Sequence, residues 1–153
     1  MNSFCSLQDL QYLCRNYMHK TMTIQERLNT TDCFARNAGA QLVEVGDGYA
    51  IAQMTVTESH LNGGGVCQGG ALFTLADLAF AAVTNQGENL AFGIQSSIVF
   101  SQSAHLGEIL TAEARMQVPH HKLPYCEVTV YNVQKEVICV FTGLAYVMRN
   151  KKL

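Results

Sequence analysis

The stretch His60–Val83, HLNGGGVCQGGALFTLADLAFAAV, opens as a glycine-rich loop and continues as an almost wholly apolar segment broken by one acid, Asp77. From Gly70 to Val83 only Thr74 and Asp77 carry polar side chains, and a helix apolar all round is one that the rest of the fold must bury. Asp77 stands two turns inside that helix, too deep for a cap. Burying it ionised and unpaired costs on the order of several kcal/mol. Steps of four, three and four from Gly70 reach Thr74, Asp77 and Ala81, so the acid shares its face with small residues. Two readings remain open: a buried hydrogen bond, to backbone or to Thr74, and a carboxylate aimed into a narrow pocket as base or nucleophile.

The preceding loop favours the second reading. Gly63-Gly64-Gly65 and Gly69-Gly70 let backbone approach a ligand closely. A helix start offers unpaired N–H groups at the positive end of the dipole, where a developing oxyanion is held. A phosphate cradle would want GKS or GKT, or GxGxxG after a strand; neither is present.

Working outward, strand-like runs lie on both sides of this helix. Residues 38–57, AGAQLVEVGDGYAIAQMTVT, form two runs around Gly46-Asp47-Gly48, and Asp-Gly between such runs signals a hairpin. Phe92–Phe100 makes a third run and Ile109–Val118 a fourth, in which Ala112, Ala114, Met116 and Val118 alternate with polar residues. Tyr125–Val133 and Val137–Met148 flank a final turn, and the only two prolines mark the loop VPHHKLP. Leu7, Leu10, Leu13, Cys14, Tyr17 and Met18 recur at helical spacing over about residues 6–20. The order predicts an α+β fold, an antiparallel sheet wrapped around one apolar helix, as a single domain over 1–153 with its core at about 40–148.

Composition sets the bounds. The 153 residues are 48% hydrophobic and 14% charged, little charge for a monomer's surface, so an oligomer is expected. A net charge of −2 without a basic run argues against nucleic acid. The first residues lack a signal peptide's basic start, and no window reaches the ~18 apolar residues of a membrane span, which predicts no membrane partner and a cytoplasmic protein. The six cysteines show no CxxC pair or zinc-like spacing and read as reduced, mostly buried thiols.

The segment HLNGGGVCQGGALFTLADLAFAAVTNQG, the following AFGIQSSIVFSQSAHLGE and the late YCEVTVYNVQKEVICVFTGLAYVM together resemble the hotdog-fold acyl-CoA thioesterases of the PaaI type. The likeness runs from about Ala40 to Met148, and the pattern Asn-x5-His-Gly-Gly-x6-Asp is met at Asn62, Gln68, Gly69, Gly70 and Asp77. The resemblance implies dimers with two active sites at the subunit interface, often paired into tetramers, acting on an acyl- or arylacyl-CoA without metal or organic cofactor. It makes Asp77 the carboxylate that activates water or attacks the thioester carbonyl, reaching across the interface to a loop of the partner chain, the Gly69 N–H the oxyanion donor, and Asn62 the group that orients water or thioester. Gln68 stands where that family usually has histidine, and an amide does not titrate near neutral pH. Gln68, Gly70, Thr74, Gly93 and Ser96 are expected to line the substrate site.

Other arrangements are weaker. Cys67 with His60 could be a thiol nucleophile and base, although a loop cysteine beside an apolar helix is more often packed. His120 and His121 make a poor metal site, since adjacent strand residues point to opposite faces and no carboxylate accompanies them. His120, His121 and Lys122 read better as a loop and, with Arg149, Lys151 and Lys152, could supply positive charge to coenzyme A phosphates, although simple solvated charge is the stronger reading. A hydratase of the same fold would want a histidine where Ala82 stands. The rival to an enzyme is a non-catalytic acyl-CoA binding or sensing module, which Gln68 keeps open and Asp77 argues against.

Overall fold

Thr23-Ile-Gln-Glu26 forms a capping box: Thr23 Oγ1 accepts from the Glu26 N–H at 3.2 Å, and Glu26 Oε2 accepts from the Thr23 N–H at 2.8 Å. Helix α1 (Ile24–Thr31) starts there, near the beginning of residues 22–152, which this computed structural model describes. The amphipathic helix expected over about 6–20 lies outside them. Asp32 then caps helix α2 (Cys33–Asn37), its Oδ1 accepting from Ala35 N–H at 3.0 Å. Neither α1 nor α2 follows from hydrophobic periodicity. The Asn29 amide holds α1 against the sheet instead, donating to Leu42 O at 2.9 Å and accepting from Leu42 N–H at 2.8 Å.

Six strands follow the expected order: β1 (Gln41–Gly46), β2 (Tyr49–Thr55), β3 (Asn89–Phe100), β4 (Ile109–Val118), β5 (Tyr125–Tyr131) and β6 (Val137–Lys152). They pair antiparallel in the sheet order β1-β2-β4-β5-β6-β3. Asp47-Gly48 is the two-residue turn between β1 and β2, with Gly46 opposite Tyr49. Alternation gives the sheet one apolar face: Ala50, Ala52 and Met54, Leu110, Ala112 and Ala114, and Cys126, Val128 and Val130 are all buried. Helix α3 (Gly69–Thr84) crosses that face. The alanines of β2 and β4 let the helix backbone approach closely, while Phe73 and Phe80 fill the space over β6, their rings 5.2 and 5.6 Å from that of Phe141.

The helix is not buried all round. Gly70 and Asp77 are exposed and Thr74 is half-buried, so the small-residue face read from the sequence is an open stripe. The reason is geometric: the sheet covers one side of the helix, and on the other side α1 and α2 pack against α3 without closing over the Gly70, Thr74 and Asp77 stripe. Asp77 is thus not the fully buried acid that the apolar run implied.

Strand β3 forms one edge of the sheet. Its register shifts between Gly93 and Gln95, so Ile94 is the extra residue of a bulge. Beyond it Ser96, Ile98 and Phe100 pair with Gly143, Phe141 and Cys139, all buried on the helix side. Phe92, Ile94 and Val99 are exposed along this edge.

A Cβ on Gly143 would lie 2.7 Å from a Phe80 ring carbon and 3.0 Å from a Phe141 ring carbon. Gly143→Ala therefore overpacks the aromatic cluster and should lower unfolding free energy by about 1–3 kcal/mol, read as a lower urea midpoint at unchanged m-value.

Candidate active site

The glycine-rich loop is held from inside by Asn62. Its Oδ1 accepts from the Gly64 N–H at 2.8 Å and from Val66 N–H at 3.4 Å, and its backbone N–H donates to Val66 O at 2.8 Å. Gly65, at φ +76°, makes the left-handed step that turns the chain. With Oδ1 committed to the turn, only the amide Nδ2 of Asn62 is left to face a ligand.

Two successive backbone bonds then fix the approach to α3. Cys67 N–H donates to Ala104 O at 2.8 Å and Gln68 N–H to His60 O at 2.7 Å. Gln68 is the N-cap of α3, and its Oε1 accepts the Gly70 N–H. Ala71 N–H donates to Gln68 O at 2.9 Å, and Leu72 N–H reaches the same carbonyl at 3.4 Å. The first-turn donor left without a protein partner, among the described residues, is Gly69 N–H.

A cavity of about 470 Å³ opens between α2 and this helix start, lined by Phe34, Ala38, His60, Leu61, Gln68 and Thr74, with Gly70 at its edge. Thr74 Oγ1 donates back to Gly70 O at 2.8 Å, which leaves its lone pairs toward the cavity. Asp77 follows on the same stripe. Its side chain is solvent-accessible, yet protein packed around the carboxyl raises its pKa above the usual aspartate value, and the Asp32 carboxylate adds to the shift. Outer accessibility and the density of protein around the carboxyl are different properties, and the second sets proton affinity.

The remaining sequence candidates divide into two groups. Gly93 and Ser96 lie on the helix-facing side of β3, opposite Ala145 and Gly143, with Gly93 against the Phe80 ring. His121 belongs to another cavity, about 500 Å³, lined by Val83, Thr84 and His120 at the far end of α3. Sixteen helical residues at 1.5 Å each put that end about 24 Å from Gly69. Lys122 Nζ sits 5.5 Å from the Tyr146 ring centroid, and Arg149 is exposed on β6. Residues 119–124 form the expected loop, in which the His120 and His121 ring centroids lie 4.5 Å apart.

The geometry disfavours a thiol nucleophile. Cys67 is buried, its Sγ is 3.8 Å from Gln68 O, and burial together with the Glu108 carboxylate pushes the thiol's pKa up. His60 Nδ1 is already occupied by the Thr57 N–H at 3.0 Å. Periodicity missed Phe34 and Ala38 of the cavity wall; the available signals were Thr23-x-x-Glu26 and Asp32, both capping residues.

The thioesterase superfamily model matches residues 64–139. Over 132 residues the chain is 35% identical to a putative esterase of Archaeoglobus fulgidus, covering 86% of this chain and 79% of that one. It is 30% identical over 128 residues to the Escherichia coli acyl-coenzyme A thioesterase PaaI, covering 84% and 91%. The E. coli PaaI structure superimposes with a TM-score of 0.74 at 26% identity, over 94% of this chain and 96% of that one. A Streptococcus mutans protein bound to acetyl CoA gives 0.70 at 28% identity, over 74% and 91%. With its six-stranded antiparallel sheet packed on one long helix in the hotdog arrangement, the chain belongs to the thioesterase superfamily.

Proposed function

We propose that the chain hydrolyses an acyl- or arylacyl-CoA thioester to the free acid and coenzyme A. The observation that carries this reading is the start of α3, where among the described residues the Gly69 N–H has no protein partner next to the Gln68, Gly70 and Thr74 that line the cavity, with a carboxyl of raised pKa at Asp77 farther along the same helix. In the proposed reaction the thioester oxygen accepts from Gly69 N–H. Eight residues at 1.5 Å each put a chain's own Asp77 about 12 Å along the helix from its Gly69, so in a site shared between two copies the Asp77 of the second copy takes a proton from water as the water oxygen adds to the carbonyl carbon, and the tetrahedral oxyanion is held by that N–H. The C–S bond then breaks, and the coenzyme A thiolate leaves and takes up a proton. Direct attack by Asp77 on the carbonyl is the variant of the same assignment. A thioester is already activated, so these groups suffice without a metal or organic cofactor. Gln68, Gly70 and Thr74 would border the acyl group, with Asn62 Nδ2 free to orient water or thioester. The curated relative named as an acyl-coenzyme A thioesterase and the S. mutans neighbour bound to acetyl CoA support the choice of substrate.

The working unit in this reading is a dimer with shared sites. Strand β3 presents a free edge carrying exposed Phe92, Ile94 and Val99, and a long apolar edge invites pairing with another strand. A second copy added there would also close over the open stripe of α3. His121 lies at the far end of α3 from Gly69, and with Lys122 and Arg149 would serve only for outlying phosphates.

Free-thiol release from short, medium and aromatic acyl-CoAs tests the activity; a chain that binds them, releases no thiol and is unchanged by Asp77→Asn is a binding module. Asp77→Asn should lower kcat by about 10²–10⁴-fold. The sign on stability is opposite. A carboxyl whose pKa is raised in the fold stabilises it below the unfolded carboxylate range, and that stability is lost as pH rises through the raised value. Asp77→Asn should therefore raise the thermal midpoint at pH 7. The acid limb of kcat/KM should lie above the ordinary aspartate range, and Asp32→Asn, which removes the neighbouring charge, should move it down.

A further inference from the structure

Phe100 ends β3 and is 52% exposed, yet its side chain lies on the helix side, since it pairs with the buried Cys139. A Cβ built on Gly69 would stand 2.8 Å from Phe100 Cζ and 3.3 Å from both Cε atoms. The tip of the ring therefore occupies the space that a side chain at position 69 would need. Gly69 is not among the left-handed glycines of the chain, so the ring, and not the backbone conformation, excludes other residues there. Ala104, four residues beyond Phe100, supplies the carbonyl that anchors Cys67 N–H at 2.8 Å. One short segment thus grips the helix start twice, by backbone at Cys67 and by ring at Gly69.

We infer that Phe100 is a positioning residue for the oxyanion donor, its ring closing one flank of Gly69 so that a carbonyl oxygen meets the N–H only from the side away from the ring. This rests on the thioesterase reading and adds a residue to it. The ring also removes water from beside a donor that no protein group occupies, and a hydrogen bond to developing charge strengthens as water is excluded. A methyl at position 69 keeps the N–H but forces it away from the ring; the harm it does should therefore depend on the ring.

The test is a double-mutant cycle of Gly69→Ala, Phe100→Ala and the pair, with kcat, KM and thermal midpoint for each. A parallel set of dissociation constants uses a hydrolysis-resistant acyl-CoA analogue in which methylene replaces the thioester sulfur. Gly69→Ala should lower kcat by about 30-fold or more with little change in KM, and Phe100→Ala by about 3–10-fold. The pair should match Phe100→Ala alone, because removing the ring removes the clash. Additive losses, or a harmless Gly69→Ala, overturn the inference. Should Gly69→Ala fail to fold, Phe100→Leu decides: a lower kcat at unchanged KM supports the role, and wild-type kcat overturns it. If the wild type hydrolyses no acyl-CoA, the thioesterase reading fails, and the analogue's dissociation constants still decide: the same rescue supports Phe100 as the flank of a carbonyl site, while additivity or absence of binding overturns it.

Discussion

The candidate site depends on two consecutive backbone N–H groups being tied to carbonyls from two different parts of the chain. Cys67 is held by Ala104, beyond β3, and Gln68 by His60, in the 3-10 turn ahead of the glycine loop. Together they set the direction of the next N–H, that of Gly69, which has no partner among the described residues. A single anchor would let the loop rotate about it; two anchors on different segments do not. Preorganisation of this kind costs nothing at the moment of reaction, because the dipole is already aimed when charge develops. The energy was spent in folding the sheet that brings residues 60, 68 and 104 together.

The sheet also sets the surroundings of the Asp77 carboxyl. A helix buried on every side would keep the carboxyl neutral and unreachable, whereas a helix on a flat surface would leave it with an ordinary pKa. Here the sheet covers the face carrying Leu72, Leu75, Ala79 and Ala82, and the opposite stripe remains accessible with enough protein around it to raise proton affinity. Asp32, which caps α2, contributes from the helical side. A residue that ends one helix and starts another therefore also tunes the charge at the centre of a third.

Much of this was legible in the sequence, for identifiable reasons. The strands showed themselves because Ala112, Ala114 and Met116 alternate with Thr111, Glu113 and Arg115 and every pairing is antiparallel. The hairpin at Asp47-Gly48 was readable from turn chemistry alone. Helices α1 and α2 were not, because caps and the Asn29 amide hold them rather than an apolar stripe. The grouping of Gly70, Thr74 and Asp77 followed from helical spacing, but not its exposure, since residue pattern says which side chains are apolar and not how far one sheet reaches. Asn62 was read as a ligand-facing side chain, and half of its amide instead holds the turn; that bond forms between residues two apart in an irregular loop, where periodicity carries no information. Phe100 looked like one more strand residue, and only the register past the Ile94 bulge turns it toward Gly69.

Gln68 gains a defined meaning from the same geometry. An N-cap must accept a hydrogen bond, and here Oε1 accepts from Gly70. An imidazole at this position could accept only through an unprotonated nitrogen, so its capping would fail once it took up a proton. An amide accepts at any pH, and accepting through Oε1 fixes Nε2 as a donor. The start of α3, and with it the direction of the Gly69 N–H, is thus uncoupled from protonation at residue 68. Glutamine in place of histidine therefore keeps a titrating group away from the helix start while retaining a hydrogen-bond donor there, and Asp77 is then the one titratable side chain on the Gly70, Thr74 and Asp77 stripe of α3.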